Sequence, residues 1–251
     1  MAGIHVSSKR PAIAMIELIF AIVVIGIALM SAPNLIRTST KSGYVAIQQE
    51  AINEAASHLN MVIGYHWDEN DTDDRYLDPI LHVSNGDWQL DENKSIGYSG
   101  RRYGTPTRGA RTFIRADGND SLTASSLGLD AGETRGDEDD IDDFDGSSYS
   151  LEQVVNATAD YVEKSTVTIN TTVRYYPDIP DAGTYINPNA ATPRTLEFDF
   201  NDSISAAPTT NIKKIEVTLI STSGVSELQK NIKLRAFSCN IGAVELKERD
   251  F

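Results

Sequence analysis

The N-terminal part of the chain is almost continuously apolar from Ile13 to Ile36, and Glu17 is the single charged residue in that run. A run of this length and composition predicts a helix that can span a lipid bilayer. A carboxylate placed in hydrocarbon costs a few kcal/mol, so an acid in such a segment is a functional hypothesis by default. Glu17 is therefore the first candidate functional residue of the chain.

Helical periodicity continues beyond the apolar run, where polar residues fill one face and apolar residues recur on the other. The apolar positions of this second part are Val45, Ile52, Ala55, Ala56, Leu59 and Ile63. We predict one helix from about Ile13 to Val62, with its first half (13–36) in the membrane and an amphipathic second half (37–63). Pro33 and Gly43 are expected to bend this helix rather than end it.

The remainder of the chain, 64–251, contains alternating and β-branched segments that predict strands of one β-rich domain. The predicted strands are Ile80–Val83, Trp88–Leu90, Thr112–Arg115, Ser165–Tyr176, Thr195–Phe200, Ile212–Thr222 and Gln229–Phe237. The stretch from Gly97 to Gly146 is rich in Gly, Ser, Thr and charge, and predicts long loops. The last strands follow one another as in an antiparallel meander. We therefore expect an α+β fold in which the amphipathic half of the helix packs on an antiparallel sheet.

The charge balance narrows the range of partners. The chain of 251 residues has a formal net charge of −14, which argues against nucleic acid as a main partner because phosphate would be repelled.

A local run of arginines from 101 to 115, with aromatic residues among them, is the pattern that a protein binding single-stranded nucleic acid would show. We prefer the alternative that these arginines pair with the acidic run at residues 137–145 or with a neighbouring subunit. The single cysteine excludes an intramolecular disulfide.

A dense acidic run lies between residues 137 and 145 and is followed by Gly146. Such like charges repel one another, so the segment should either stay solvated or hold a cation. Calcium is the natural candidate because it takes several carboxylate and carbonyl oxygens, although the spacing matches an EF-hand loop poorly. The candidate ligands are Asp137, Asp139, Asp140, Asp142, Asp143 and Asp145. No other cofactor is expected.

Catalytic motifs are not found in the sequence. The histidines show no HExxH spacing, and neither a G-x-S-x-G elbow nor a phosphate-binding glycine loop occurs. The sequence therefore predicts a protein that is not an enzyme.

The residues around the start of the apolar run form a composite motif. Lys9 and Arg10 precede it, Ala12 and Ile13 follow, and the core is Met15–Ile19 with Glu17 at its centre. This arrangement resembles the N-terminus of type IV prepilins and type II secretion pseudopilins, over roughly Lys9 to Leu59. Two positions depart from the usual pattern, since the family usually has Gly where this chain has Ala12 and Phe or Met where it has Ile13.

The resemblance implies how the chain would be processed and assembled. Residues 1–12 would be a leader removed by prepilin peptidase after Ala12, and the new amine on Ile13 would be N-methylated. Glu17 of one subunit would then meet the cationic amine of a neighbour and set the register of assembly. The partners implied are prepilin peptidase, other pilin or pseudopilin subunits and the inner-membrane assembly platform.

The expected location follows from the basic residues before the apolar run. They predict a single-pass protein with a cytoplasmic N-terminus and the bulk of the chain outside the cytoplasm. The resemblance implies that the membrane is the inner membrane and that the protein later enters a pilus or pseudopilus in the periplasm or at the cell surface. The length favours a minor subunit, and Glu17 argues against the specialised tip pseudopilin. Two alternatives remain for the apolar run: it could be a Sec signal peptide, or it could anchor a binding or sensor domain that never polymerises.

Overall fold

The computed structural model describes residues 11–71, 79–92, 101–102, 113, 119–158, 161–183, 197 and 209–242. A helix of 53 residues, α1, runs from Pro11 to Ile63. At 1.5 Å per residue its length is about 80 Å. The prediction of one helix over Ile13–Val62 is confirmed, and the helix continues through Pro33 without ending there. Proline is well suited to the first helical position, where its missing N–H needs no partner.

The principal sheet has four antiparallel strands in the order of the chain. Two short strands, β1 (Asp91–Glu92) and β2 (Arg101–Arg102), pair separately. The four strands of the principal sheet are β3 (Ser148–Thr158), β4 (Tyr161–Tyr176), β5 (Ile212–Thr222) and β6 (Lys230–Cys239). Each strand pairs with its neighbours in the order β3-β4-β5-β6, so the sheet is a simple meander.

The second half of α1 packs on one face of this sheet. The buried apolar side chains of the helix are Ala51, Ala55, Leu59 and Val62, and the sheet contributes Val167, Ile169, Val173, Ile215, Val217 and Leu219. Alternate residues of a strand point to the same face, which explains why the odd-numbered positions of β5 enter this core. The expected α+β fold, with a long helix on an antiparallel sheet, is therefore confirmed.

Several local predictions were wrong. Residues Trp88–Leu90 form a 3-10 helix rather than a strand, and Ile80–Val83 contains only an isolated bridge from His82 to Thr123. Strand β3 was not predicted, because polar residues interrupt its alternation and it directly follows the acidic run. The predicted strands Thr112–Arg115 and Thr195–Phe200 lie outside the described residues, apart from residues 113 and 197.

The central position of β5 allows the core to be tested. Ile215 is fully buried between the helix and the sheet, so we expect Ile215→Ala to lower the free energy of unfolding by about 2–5 kcal/mol through lost burial and a residual cavity. Thermal unfolding of the full-length protein in detergent measures this change. The control is Thr218→Ala, on the opposite face of β5, which should change stability far less. Equal losses in both variants would contradict the packing described here.

Candidate functional sites: an uncovered helix and a buried charge cluster

The first half of α1 has no cover from the rest of the chain that the structure describes. Its large apolar side chains from Met15 to Ile36 are between 52% and 81% exposed, whereas Ala55 in the second half is fully buried. Exposed apolar surface costs about 25 cal/mol per Å² in water, so covering this surface with lipid or other helices would be favourable. The helix is long and apolar enough to cross a membrane.

The three residues predicted for processing and assembly lie at the start of this helix. Ala12 and Ile13 belong to the first turn of α1, which begins at Pro11. Glu17 is exposed and is four residues after Ile13, so both lie on the same side of the helix. Among the described residues, no ion pair involves Glu17. A cation for this carboxylate would have to come from outside that part of the chain.

The central part of the acidic run is buried, whereas Asp137 and Asp139 are exposed. Asp140, Asp142 and Asp143 are at most 2% exposed, so the alternative of a solvated loop is wrong for these three residues. The chain turns here in a short 3-10 helix, Asp142–Phe144. The Asp140 carboxylate accepts the backbone N–H groups of Asp142 at 2.7 Å and Asp143 at 3.1 Å. In return, the Asp143 carboxylate accepts the backbone N–H groups of Asp139 at 3.1 Å and Asp140 at 3.3 Å.

The buried part of this segment contacts a lysine of β5. The Lys213 side chain is completely buried, and its Nζ donates to Asp142 Oδ1, to Asp68 Oδ2 at 3.2 Å and to the Trp67 carbonyl oxygen. The ring of Trp67 lies 4.3 Å from Nζ, and the ring of Tyr175 lies 5.5 Å from it. Two buried carboxylates, a carbonyl and two aromatic rings therefore surround one ammonium group.

Burial shapes the electrostatics of this cluster. Loss of solvation, followed by repulsion from Asp142, raises the pKa of Asp140 to about 8. Burial also raises the pKa of Asp142, although the Lys213 ammonium opposes that change. The pKa of the Tyr175 hydroxyl is raised by burial and then by the neighbouring carboxylates, so this hydroxyl stays protonated. The cluster thus carries fewer negative charges near neutral pH than its composition indicates.

The outer acids of the run point to different partners. The Asp137 carboxylate accepts the Thr134 hydroxyl at 2.8 Å, and the Asp145 carboxylate pairs with Arg174. Asp139 instead joins Glu69 and Glu133, whose carboxylate oxygens all lie within 4.8 Å of one another. The structure therefore does not gather the six predicted calcium ligands in one place, and calcium binding stays a prediction. The sequence offered no sign of Glu69 or Glu133, because nothing in the spacing connects them to the acidic run.

The arginine-rich stretch is described at one side chain, that of Arg102. This side chain is buried, and its guanidinium donates to the side chain of Asn211 and to the carbonyl oxygen of Asn240 at 3.1 Å. Arg102 therefore helps to hold the chain segments at the end of the sheet. The remaining arginine side chains of the stretch lie outside the described residues.

No protein-family model, curated protein or solved structure matches this chain. Its function must therefore be inferred from the geometry of the helix and of the domain on which the helix packs.

The outer carboxylates predict a pH effect on stability. Burial, and then the neighbouring Asp139, raises the pKa of Glu69 from 4.5 to about 6. Because the folded pKa is the higher one, ionisation of Glu69 costs stability above that pKa and costs nothing below the unfolded pKa. We expect Glu69→Gln to raise Tm by a few degrees at pH 7. This gain should disappear as the pH falls from about 6 to 4.5, the folded and unfolded pKa values of Glu69. Scanning calorimetry across this pH range, with the exposed Glu50→Gln as control, measures it. A gain that persists in acid would contradict the assignment.

Proposed function

We propose that this protein is a subunit, and specifically a minor subunit, of a type IV pilus or type II secretion pseudopilus. The observation that carries the proposal is the division of α1 into two halves. One face of the second half, from Ala51 to Val62, is buried against its own sheet, whereas the first half presents an apolar surface that the described residues leave uncovered and that bears Glu17. A filament built by packing many such helices together would cover the apolar surface of the first half of α1 without any change in the folded domain.

The proposed role of Glu17 follows from the cost of its charge. A carboxylate in an apolar environment is stabilised strongly by a cation with which it can form hydrogen bonds. Cleavage after Ala12 would create a cationic amine on Ile13. Between helices that are offset along a filament axis, the amine of one subunit can meet Glu17 of the next. Such a contact would form only in the correct register and would therefore select correctly placed subunits.

The remaining steps of the proposal concern the route into the filament. The precursor would sit in the inner membrane with its N-terminus in the cytoplasm, where prepilin peptidase would remove residues 1–12. The inner-membrane assembly platform would then extract the subunit into the filament. In this scheme the folded domain serves as structure at the cell surface, and no catalytic role is assigned to it.

The N-terminal mass tests the processing step. In cells that contain prepilin peptidase, we expect the protein to begin at Ile13, with or without one methyl group on the amine. In cells that lack the peptidase, the leader should remain. A terminus at Met1 in both strains would contradict the proposal and favour a plain anchor. A terminus near Pro33 would indicate a Sec signal peptide.

Replacement of Glu17 tests the assembly step. Glu17→Leu keeps the helix apolar and removes the carboxylate, so we expect the variant to reach the membrane and to be cleaved normally. Its content in purified filaments should fall by about tenfold or more, since losing a charge pair in an apolar environment costs several kcal/mol. The matched control, Glu50→Leu, makes the same change at an exposed position of the second half and should enter filaments normally.

The competing function is a single-span anchored binding or sensor domain that does not polymerise. The uncovered helix is equally compatible with that function, because lipid would cover the same apolar surface. The two functions differ on Glu17, which an anchor does not need. Entry of Glu17→Leu into filaments at the parental level would remove the assembly role, whereas absence of the parental protein from every filament would favour the anchored domain.

A further inference from the structure

The environment of Lys213 is unusual for a lysine. Its side chain and that of Asp68 are 0% exposed, and that of Asp142 is 1% exposed. Trp67 and Tyr175 pack their rings beside the ammonium and separate it from solvent. Lysine is almost never fully buried, because removing an ammonium from water is costly even when an acid compensates for it. The site therefore holds an amine against carboxyl groups in a space that water does not reach.

The two carboxylates around Nζ differ in their other partners. Asp68 is held by several donors, since it accepts the backbone N–H and hydroxyl of Ser125 at 3.0–3.2 Å and the backbone N–H of Asn70 at 3.2 Å. Such donors hold the carboxylate in one position. Asp142 is closer to the amine, and its side chain also meets the Ser125 hydroxyl at 3.4 Å and is hydrogen-bonded to the side chain of Asp140. The geometry thus separates Asp68, which several donors hold in place, from Asp142, whose carboxyl group is in direct contact with the amine.

We propose that Lys213 and Asp142 join through a side-chain amide, an intramolecular isopeptide bond, with Asp68 as the proton carrier. A bond forms between Lys213 Nζ and Asp142 Cγ, and one Cγ–O bond of Asp142 breaks. The two protons that leave the ammonium both end on the departing oxygen, one transferred directly and one carried by Asp68. One water molecule is released, Asp68 is regenerated, and no oxidant or reductant is needed.

Proximity and desolvation both favour this reaction. Groups fixed in a reactive geometry behave as if present at effective concentrations of about 10⁵–10⁸ M, which is far beyond any concentration in solution. The amide also replaces a buried positive and a buried negative charge with one neutral group, which removes most of the desolvation cost. The polar atoms of the product keep partners, because the amide N–H faces the Trp67 carbonyl and Asp68, and the Ser125 hydroxyl faces Asp142.

The bond would serve as a covalent clamp within the domain. It would tie the acidic segment to the central strand β5 and close a loop of the chain that contains β3 and β4. The chain has one cysteine and so cannot form an internal disulfide for this purpose. This inference concerns the folded domain alone and does not depend on cleavage of the leader or on entry into a filament.

Peptide mass spectrometry of the full-length protein, purified in detergent and then digested with trypsin, tests the proposal. An acylated Lys213 resists trypsin, so the bond should yield peptide 136–164 joined to peptide 195–214, at the summed mass of the two less one water. Without the bond, the digest should give peptides 136–164 and 195–213 separately. Recovery of only these separate peptides from folded protein would overturn the proposal and leave an ion pair. A cross-link that fragments to Asp68 instead would overturn the choice of Asp142.

Variants assign the roles. Asp142→Asn should give a joined peptide of the same mass, because an amide side chain would release ammonia where the acid releases water. Lys213→Arg should abolish the bond, whereas Lys233→Arg, at an exposed lysine paired with Glu216, should leave it intact. In Asp68→Asn the joined fraction, followed over time after synthesis, should form at least tenfold more slowly. An unchanged rate in that variant would overturn the role of Asp68 as proton carrier.

Discussion

The structure depends on a mismatch between the length of α1 and the size of the sheet that can cover it. The helix is about 80 Å long at 1.5 Å per residue, whereas a strand such as β5, with 11 residues, spans about 36 Å at 3.3 Å per residue. No packing of this sheet against the helix can bury both halves. The half that meets the sheet carries small residues, Ala51 and Ala55, where the two backbones approach. The other half keeps its large apolar side chains outward from the described residues, and it is long and apolar enough to cross a membrane.

The domain itself is organised around a second constraint, which is the need to compensate one buried ammonium. The segments around Asp68 and around Asp142 have little regular structure of their own. Both converge on Lys213, and some of their backbone N–H groups are satisfied by aspartates of the same segments, Asp68 and Asp140. A buried ion pair adds little net stability, because its desolvation cost offsets most of the attraction. Its value here is specificity, since only one arrangement of the irregular segments brings both carboxylates to the same nitrogen.

The sequence predicted the elements whose signal is local and periodic. Helix α1 was identified from apolar spacing, and β5 from alternation, with the observed bounds Ile212–Thr222. The contact between the acidic run and Lys213 was not predicted, because composition cannot reveal a partner far away along the chain. One signal was nevertheless present in the sequence. Lys213 shares its strand face with Ile215 and Val217, and a lysine in phase with the buried positions of a strand needs an acid across from it.

The two halves of the molecule therefore place acids in apolar surroundings and solve the resulting problem differently. In the domain, Asp68 and Asp142 receive their cation from the same chain, so the compensation is complete once the domain has folded. On the exposed half of α1, Glu17 receives no cation from the described part of its own chain. An acid that is compensated internally stabilises one fold, whereas an acid left uncompensated in an apolar surface favours whatever arrangement supplies its partner. The same physical cost thus specifies structure in one half of the chain and, under the proposed function, would favour association in the other.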